Sequence, residues 1–324
     1  MPSRRATLAA LVLPNLALPH SAQAQAAWPL DRPVDVIVPF PAGGGVDVMA
    51  RLIMPLVAAR IPGLRHVVTN RQGAAGQIGM EAAYNAAPDG YTLLATTLPA
   101  QNAIPLERPA RFQALGFTFL ANIVEDANAF YVRADSPVRN LADLIAAGRA
   151  RPGGLSYGTT GVGSDDHLFM LAFERAAGLP RFTHVPFAGV APLIPALLGG
   201  HLDMAAVNVG DGLALAREGR LRLLAQAAER RQPEAPEAAT FRELGLDIVM
   251  GASRGIVGPP GMPAAVTQAL VAALEGAMRD PGFVAEAARQ SMPLRPIWGA
   301  AYRDYAGVVD SRTRELWQTS PWRE

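Results

Sequence analysis

"VPFPAGGGVDVMAR", residues 38–51, carries a strand-like run into three consecutive glycines and then directly into helical periodicity. Such a junction aims several backbone N–H groups at one point, at the positive end of a helix dipole. A negative or polar group fits there. A tight strand-to-helix turn that needs glycine only for its dihedral angles accounts for the same letters. Working outward, Val34 to Val38 form a short β-branched run between Pro33 and Pro39. Beyond the glycines, Val48, Met49, Leu52, Ile53, Leu56 and Val57 recur at helical spacing, with a kink or early end predicted at Pro55. "HVVTN" (66–70) reads as a strand, "GQIGMEAAYNAA" (76–87) as a helix, "PDG" as its closing turn and "YTLLATT" (91–97) as a third strand. This β-α-β-α-β order predicts a parallel sheet with helices on its faces.

A second unit opens at "AFYVRADSP" (129–137), read as a strand that starts something new. The amphipathic "NLADLIAAGRA" (140–150) and the turn "RPGG" follow it. "LSYGTTG" (155–161) is again a strand that enters a glycine-rich turn and then a helix, in "GVGSDDHLFMLAFERAAG" (161–178). "RFTHVPF", "PLIPALLGG", "LDMAAVNV" and "LRLLAQA" continue the alternation. "RRQPEAPEAATFRELG" (230–245) reads as a connector ahead of a helix, and the last third is mainly helical. Ligands of open parallel sheets sit at the carboxyl ends of strands. Two facing glycine-rich junctions therefore predict a cleft that closes on a small molecule.

The chain has 324 residues, enough for two domains, and half of them are hydrophobic. Its 29 basic residues, all arginine, nearly balance 28 acidic ones. No basic tract or aromatic-basic patch points to nucleic acid. The absence of cysteine excludes a disulfide scaffold, a lipid-modified cysteine anchor and a thiol nucleophile. "MPSRRATLAALVLPNLALPHSAQAQAAW" shows two arginines, an apolar run from Ala6 to Leu18 and small residues ending at Ala24 or Ala26. This is the pattern of a signal peptide over residues 1–26, by the general secretory or the twin-arginine route. Later segments hold no unbroken apolar run of transmembrane length, so the mature chain is expected to be soluble and periplasmic.

Three motifs carry sharper chemical readings. "GAAGQIG" (73–79) has dinucleotide-type glycine spacing, but three residues separate it from the strand and no acid stands about 20 residues on. "TTGVGSDDH" (159–167) gathers Ser164, Asp166 and His167 in the manner of hydrolase parts, yet lacks the second glycine of a nucleophile elbow. Ser164 as a helix N-cap, with Asp165 and Asp166 in the first turn, explains the same letters. A metal site on His167 and the two aspartates lacks the i, i+4 histidine spacing, and no metal or other cofactor is expected. His184 and His201 read as packed or surface histidines.

"RPVDVIVPFPAGGGVDVMAR", "TNRQGAAGQIGMEAAYNAAPDGYTLL", "YGTTGVGSDDHL", "HVPFAGVAPLIPALLGGHLDM" and "GIVGPPGMP" together resemble the tripartite tricarboxylate transporter substrate-binding receptors, the Bug family. The matches stay in order across nearly the whole mature chain. The resemblance implies an α/β protein with the type II periplasmic binding protein fold. Two lobes, 27–126 with 251–324 and 127–250, would close over a small solute, usually a carboxylate, held by backbone amides and waters of opposed glycine-rich loops. No catalysis is implied, and the partners would be a small carboxylate or amino acid and membrane transporter subunits, the receptor acting as a monomer. Carried onto this chain, the first-lobe positions are Phe40, Ala42, Gly43, Gly44, Gly45, Val46 and Asp47, with Thr96, Thr97 and Gln101 beside them. Those of the second lobe are Thr160, Gly161, Gly163, Ser164, His167, Phe187, Gly189, Asn208 and Val209. Asp47 would orient or cap the loop.

The chain departs from the family pattern where specificity is set. Gly45 and Val46 replace a hydroxyl pair, Ala188 a common lysine and Val190 a common serine. Asp165 and Asp166 add negative charge. Arg254 stands where an aromatic is frequent, either as a carboxylate-pairing cation or as an arginine at the edge of the core. A monocarboxylate, an amino acid or a neutral molecule thereby joins polycarboxylates as a candidate ligand. A periplasmic sensor subunit and an exported enzyme built on Ser164 or His167 are the readings from other classes.

Overall fold

The computed structural model describes residues 28–322; the expected signal peptide lies outside the described residues. The chain begins β1 (Val34–Val38), α1 (Gly45–Ala58), β2 (His66–Asn70), α2 (Gln77–Tyr84), β3 (Thr92–Leu98) and α3 (Ala100–Glu107). A long strand, β4 (Thr118–Arg133), leads into α4 (Leu141–Ala150), β5 (Ser156–Thr159), α5 (Asp165–Ala176), β6 (Thr183–Pro186) and α6 (Val190–Leu198). Then come β7 (Met204–Asn208), α7 (Val209–Arg217), β8 (Leu221–Gln226), β9 (Gly251–Gly258), α8 (Ala264–Met278), α9 (Pro281–Arg289), β10 (Leu294–Trp298) and α10 (Gly299–Thr319).

The predicted parallel arrangement is present: β1 pairs in parallel with both β2 and β3. Period-two alternation divides β1 between two cores, with Val34, Val36 and Val38 facing α1 and α8 while Ile37 packs with Met80, Leu94 and Tyr302. The second lobe repeats the scheme. Phe130 and Val132 of β4 pack on Phe169, Phe173 and Phe241, whereas Ala129 and Tyr131 face Leu193, Leu197 and Leu213.

Two strands cross between these cores. β4 pairs antiparallel with β9 as far as Ala127, and from Asn128 onward with β7. β4 thus starts about ten residues before the strand read from the sequence at 129, because "TFLANIVED" continues it without a glycine or proline to break it. α1 runs through Pro55 to Ala58, one turn beyond the proline. No helix forms within 230–245; that connector folds in turns, with a single bridge from Gln226 to Thr240. Among the described residues no helix is long and apolar enough to cross a membrane.

Candidate ligand-binding cleft

The glycine-rich loop that follows β1 is held by Asp47. Its Oδ2 accepts the Gly43 N–H at 2.9 Å, and its carboxylate also takes Arg51 Nε at 3.0 Å and Asn70 Nδ2 at 2.9 Å. Burial works against the carboxylate charge, but these donors, led by Arg51, hold the carboxyl below its ordinary range. Asp47 is therefore spent on the loop itself. The N-cap of α1 is Gly44, which has no side chain to offer, so the N–H groups of the first turn lack a helical partner and a side-chain cap.

In the second lobe α6 begins in the same way, with Gly189 as an N-cap that offers no side-chain hydrogen bond. The two loops touch across the lobes. A Cβ built on Gly189 would lie 3.5 Å from the Pro41 side chain, and one on Gly161 3.6 Å from the Cβ of Ala75. Between the lobes remains a cleft of about 680 Å³, counting the solvent at its mouth. Phe40, Pro41, Gly44, Gly45, Val46, Ala75, Thr97 and Ala100 line it from one side, with Ala252 and Arg254 on the crossing strand β9. Thr160, Ser164, Asp165, Gly189, Val190, Ala191, Asn208 and Asp211 line it from the other.

Arg254 is the one cation lining this cleft among the described residues, and it is buried. Its guanidinium lies against the backbone of Gly45, where an added Cβ would meet Cζ at 2.6 Å. Nη2 donates to Asn208 Oδ1 at 2.8 Å and Nη1 to Asp126 Oδ2 at 3.3 Å, with Asp211 at 4.0 Å. Burial pushes Asp126 up to about 7, against the pull of Arg254, and the neighbouring Asp211 and Asp165 charges add to the rise. Asp211 is likewise raised by burial; its Oδ2 accepts the Asn208 N–H at 3.0 Å. Asp165 Oδ2 takes the carboxamide N–H groups of Asn128 and Asn208, each at 2.8 Å.

Several other residues named from the sequence do not line the cleft. Thr96 and Gln101 are fully buried and bond to one another, Oγ1 donating to Oε1 at 2.7 Å. Ser164 lines the cleft, but its Oγ also accepts the His167 N–H at 3.2 Å, as an N-cap. The His167 ring turns away, with Nδ1 accepting the Gly163 N–H at 3.2 Å and the ring stacked 4.1 Å from His184. Burial lowers His167 to about 3, helped by His184, and lowers His184 to about 4. Asp166 also faces inward, accepting the Thr160 N–H and hydroxyl. Phe187 and Val209 belong to the second-lobe core; Ala42 is exposed, and Gly43 lines only the extension of the cleft beyond Arg254. Gly161 and Gly163 shape the turn with φ of 132° and 74°. Sequence reasoning passed over Ala75, Ala252, Asp126 and Asp211. Only Ala75 had a signal, inside the "GAAGQIG" segment, which forms a short helical turn at the cleft wall. No group of three or more His, Asp or Glu side chains among the described residues is disposed to hold a metal ion.

Two α/β lobes joined by crossing strands over a shared cleft define a periplasmic-type solute-binding protein. A profile of the tripartite tricarboxylate transporter family receptor matches residues 51–306, and the chain belongs to that family. A UPF0065 protein from the gbd 5′ region of Cupriavidus necator is 32% identical over 91% of this chain and 89% of its own. A ligand-free TctC solute-binding protein from Polaromonas is 29% identical, with a TM-score of 0.71 over 90% of this chain and 99% of its own. MatC from Rhodopseudomonas palustris, solved with bound malate, is 27% identical, with a TM-score of 0.82 over 88% of this chain and 99% of its own. The family is one of solute-binding receptors.

Proposed function

We propose that this chain is an exported receptor that captures a small, carboxylate-bearing solute in the interlobe cleft and delivers it to the membrane subunits of a tripartite tricarboxylate-type transporter. One observation carries the reading: two helices from opposed lobes, α1 and α6, bring first turns without side-chain caps to one cleft. Opposed N–H groups of this kind suit an anion and engage it fully only when the lobes are together. The expected lobe boundaries at 126/127 and 250/251 lie next to the point, between Ala127 and Asn128, where β4 changes partner, which supports a hinge there. The N-terminal pattern of residues 1–26 supports export to the periplasm. A receptor rather than an enzyme is favoured by the turned-away His167 ring, whose Nδ1 is occupied by a backbone donor and serves no nucleophile.

A thermal-shift screen against carboxylates, amino acids and neutral solutes tests the proposal. A ligand of the folded state raises Tm as its concentration passes the dissociation constant. The expected result is a concentration-dependent shift with one chemical class. Replacing Gly44 by Phe abolishes that shift while leaving the unliganded Tm near the wild-type value. No shift with any solute would sink the receptor reading.

A further inference from the structure

Four of the helices that begin at the cleft divide by charge. α1 and α6 present first turns without side-chain caps. Asp47, the acid in the first turn of α1, is folded back onto Gly43, Arg51 and Asn70. α5 and α7 instead present carboxylates to the cleft, Asp165 at the first position and Asp211 at the third. The lining between is mainly apolar, with Phe40, Pro41, Val46, Val190 and Ala252 among its members. Resting on the receptor reading above, we infer that the ligand carries a protonated amine as well as a carboxylate, on an apolar body, and that Asp165 is the residue that selects the amine.

Charge complementarity decides against a second ligand carboxylate. Arg254 is the cation such a group would seek, and its guanidinium already donates to Asp126 and Asn208 with Asp211 alongside. A dicarboxylate would have to displace that pairing and bring another negative charge up to Asp165 in a partly desolvated cleft, where like charges repel strongly. An ammonium reverses the sign of both effects. Asp165 is 6% exposed and fixed by two carboxamide donors on Oδ2, and Oδ1 receives no hydrogen bond from the described residues. The Thr97 hydroxyl lies on the opposite wall, that of the first lobe, and is equally buried. It reaches only the neighbouring Leu98 carbonyl at 3.5 Å, which is long for a hydroxyl donor. It is a further polar group for the ligand's hydrophilic end.

Calorimetric titration of the wild-type chain with the twenty L-amino acids, their N-acetyl derivatives and C4 to C6 dicarboxylates tests this. At least one apolar amino acid should bind ten-fold or more tighter than its N-acetyl derivative and than any dicarboxylate. Asp165→Asn, which keeps an oxygen for Asn128 and Asn208, should erase most of that preference. The N-acetyl comparison needs no variant and stands even if Asp165→Asn folds poorly. A dicarboxylate or N-acetyl compound that binds as tightly as the free amino acid overturns this inference and leaves the receptor reading in place. If no solute of any class binds, the receptor reading fails first and this inference with it.

Discussion

Gly45 and Arg254 occupy adjoining space that neither can yield. A methyl group on residue 45 would sit 2.6 Å from the guanidinium carbon, so Gly45→Ala must push Arg254 off Asp126 and Asn208. Overpacking of this kind costs about 1–3 kcal/mol. Gly44→Ala, whose added carbon first meets the Pro41 carbonyl at 3.6 Å, should stay within about 0.5 kcal/mol of wild type. Urea denaturation of the two variants checks the order, and equal losses would show that Arg254 moves freely. Arg254→Met removes the cation that restrains Asp126, whose carboxyl should then titrate well above its present value of about 7. A carboxyl NMR titration reads the change. An unmoved Asp126 would mean that Arg254 does not act on it.

The stack of His167 and His184 links the α5 N-terminus to the neighbouring strands. Thr159 Oγ1 lies 2.7 Å from His184 Nε2, and the His184 ring stacks on Tyr157 as well. Both imidazoles are held neutral, at about 3 and about 4, against an ordinary value of 6.5. Below pH 6.5 the unfolded chain therefore binds protons that the folded chain refuses. Stability from this pair is complete above pH 6.5 and is lost as pH falls toward 3, at no more than about 1.4 kcal/mol per pH unit for each ring. Asp126, raised to about 7, has the opposite slope, adding stability as pH falls from 7 toward 4. The His167→Gln variant isolates the histidine contribution: its stability should fall less steeply than wild type between pH 6.5 and 4. Parallel curves would show that His167 is not buried neutral. At the same terminus Ser164→Ala removes the cap on the His167 N–H and should cost about 1 kcal/mol by urea denaturation.

Closure of the two lobes is supported outside the cleft as well as within it. Trp322, 2% exposed, joins Ala103 of α3 to Val162, Leu168 and Leu171 of the second lobe, with Leu316 and Trp317 packed against the group. Arg175 of α5 adds a hydrogen bond to Thr319 of α10 at 2.7 Å. Because this cluster spans the lobes, Trp322→Ala should act on the open–closed balance more than on either lobe alone. Small-angle scattering should show a larger radius of gyration for the ligand-free variant than for wild type, and saturating ligand should remove most of the difference. An unchanged radius would mean that the cluster does not bias closure.

The alternation of strands and helices, the two glycine-rich junctions and the order of the family motifs are all local properties, and the sequence by itself determined them. Period-two and period-3.6 patterns report which faces are buried, and glycine spacing reports where the backbone turns. The full extent of β4 was less legible, because a stretch with no glycine or proline gives no mark where a strand passes from one lobe to the next. What only the tertiary structure decided is the electrostatics of the cleft. Asp126, Asp165, Asn208, Asp211 and Arg254 lie on five different elements. Nothing local tells an arginine that solvates at an edge from one that donates to Asp126 and Asn208 against the backbone of Gly45. His167 shows the same limit: its spacing from Ser164 suited a site, but its ring lies in the His184 stack and does not line the cleft. Side-chain direction and charge pairing are settled by packing among distant segments, and packing exists only once the chain has folded.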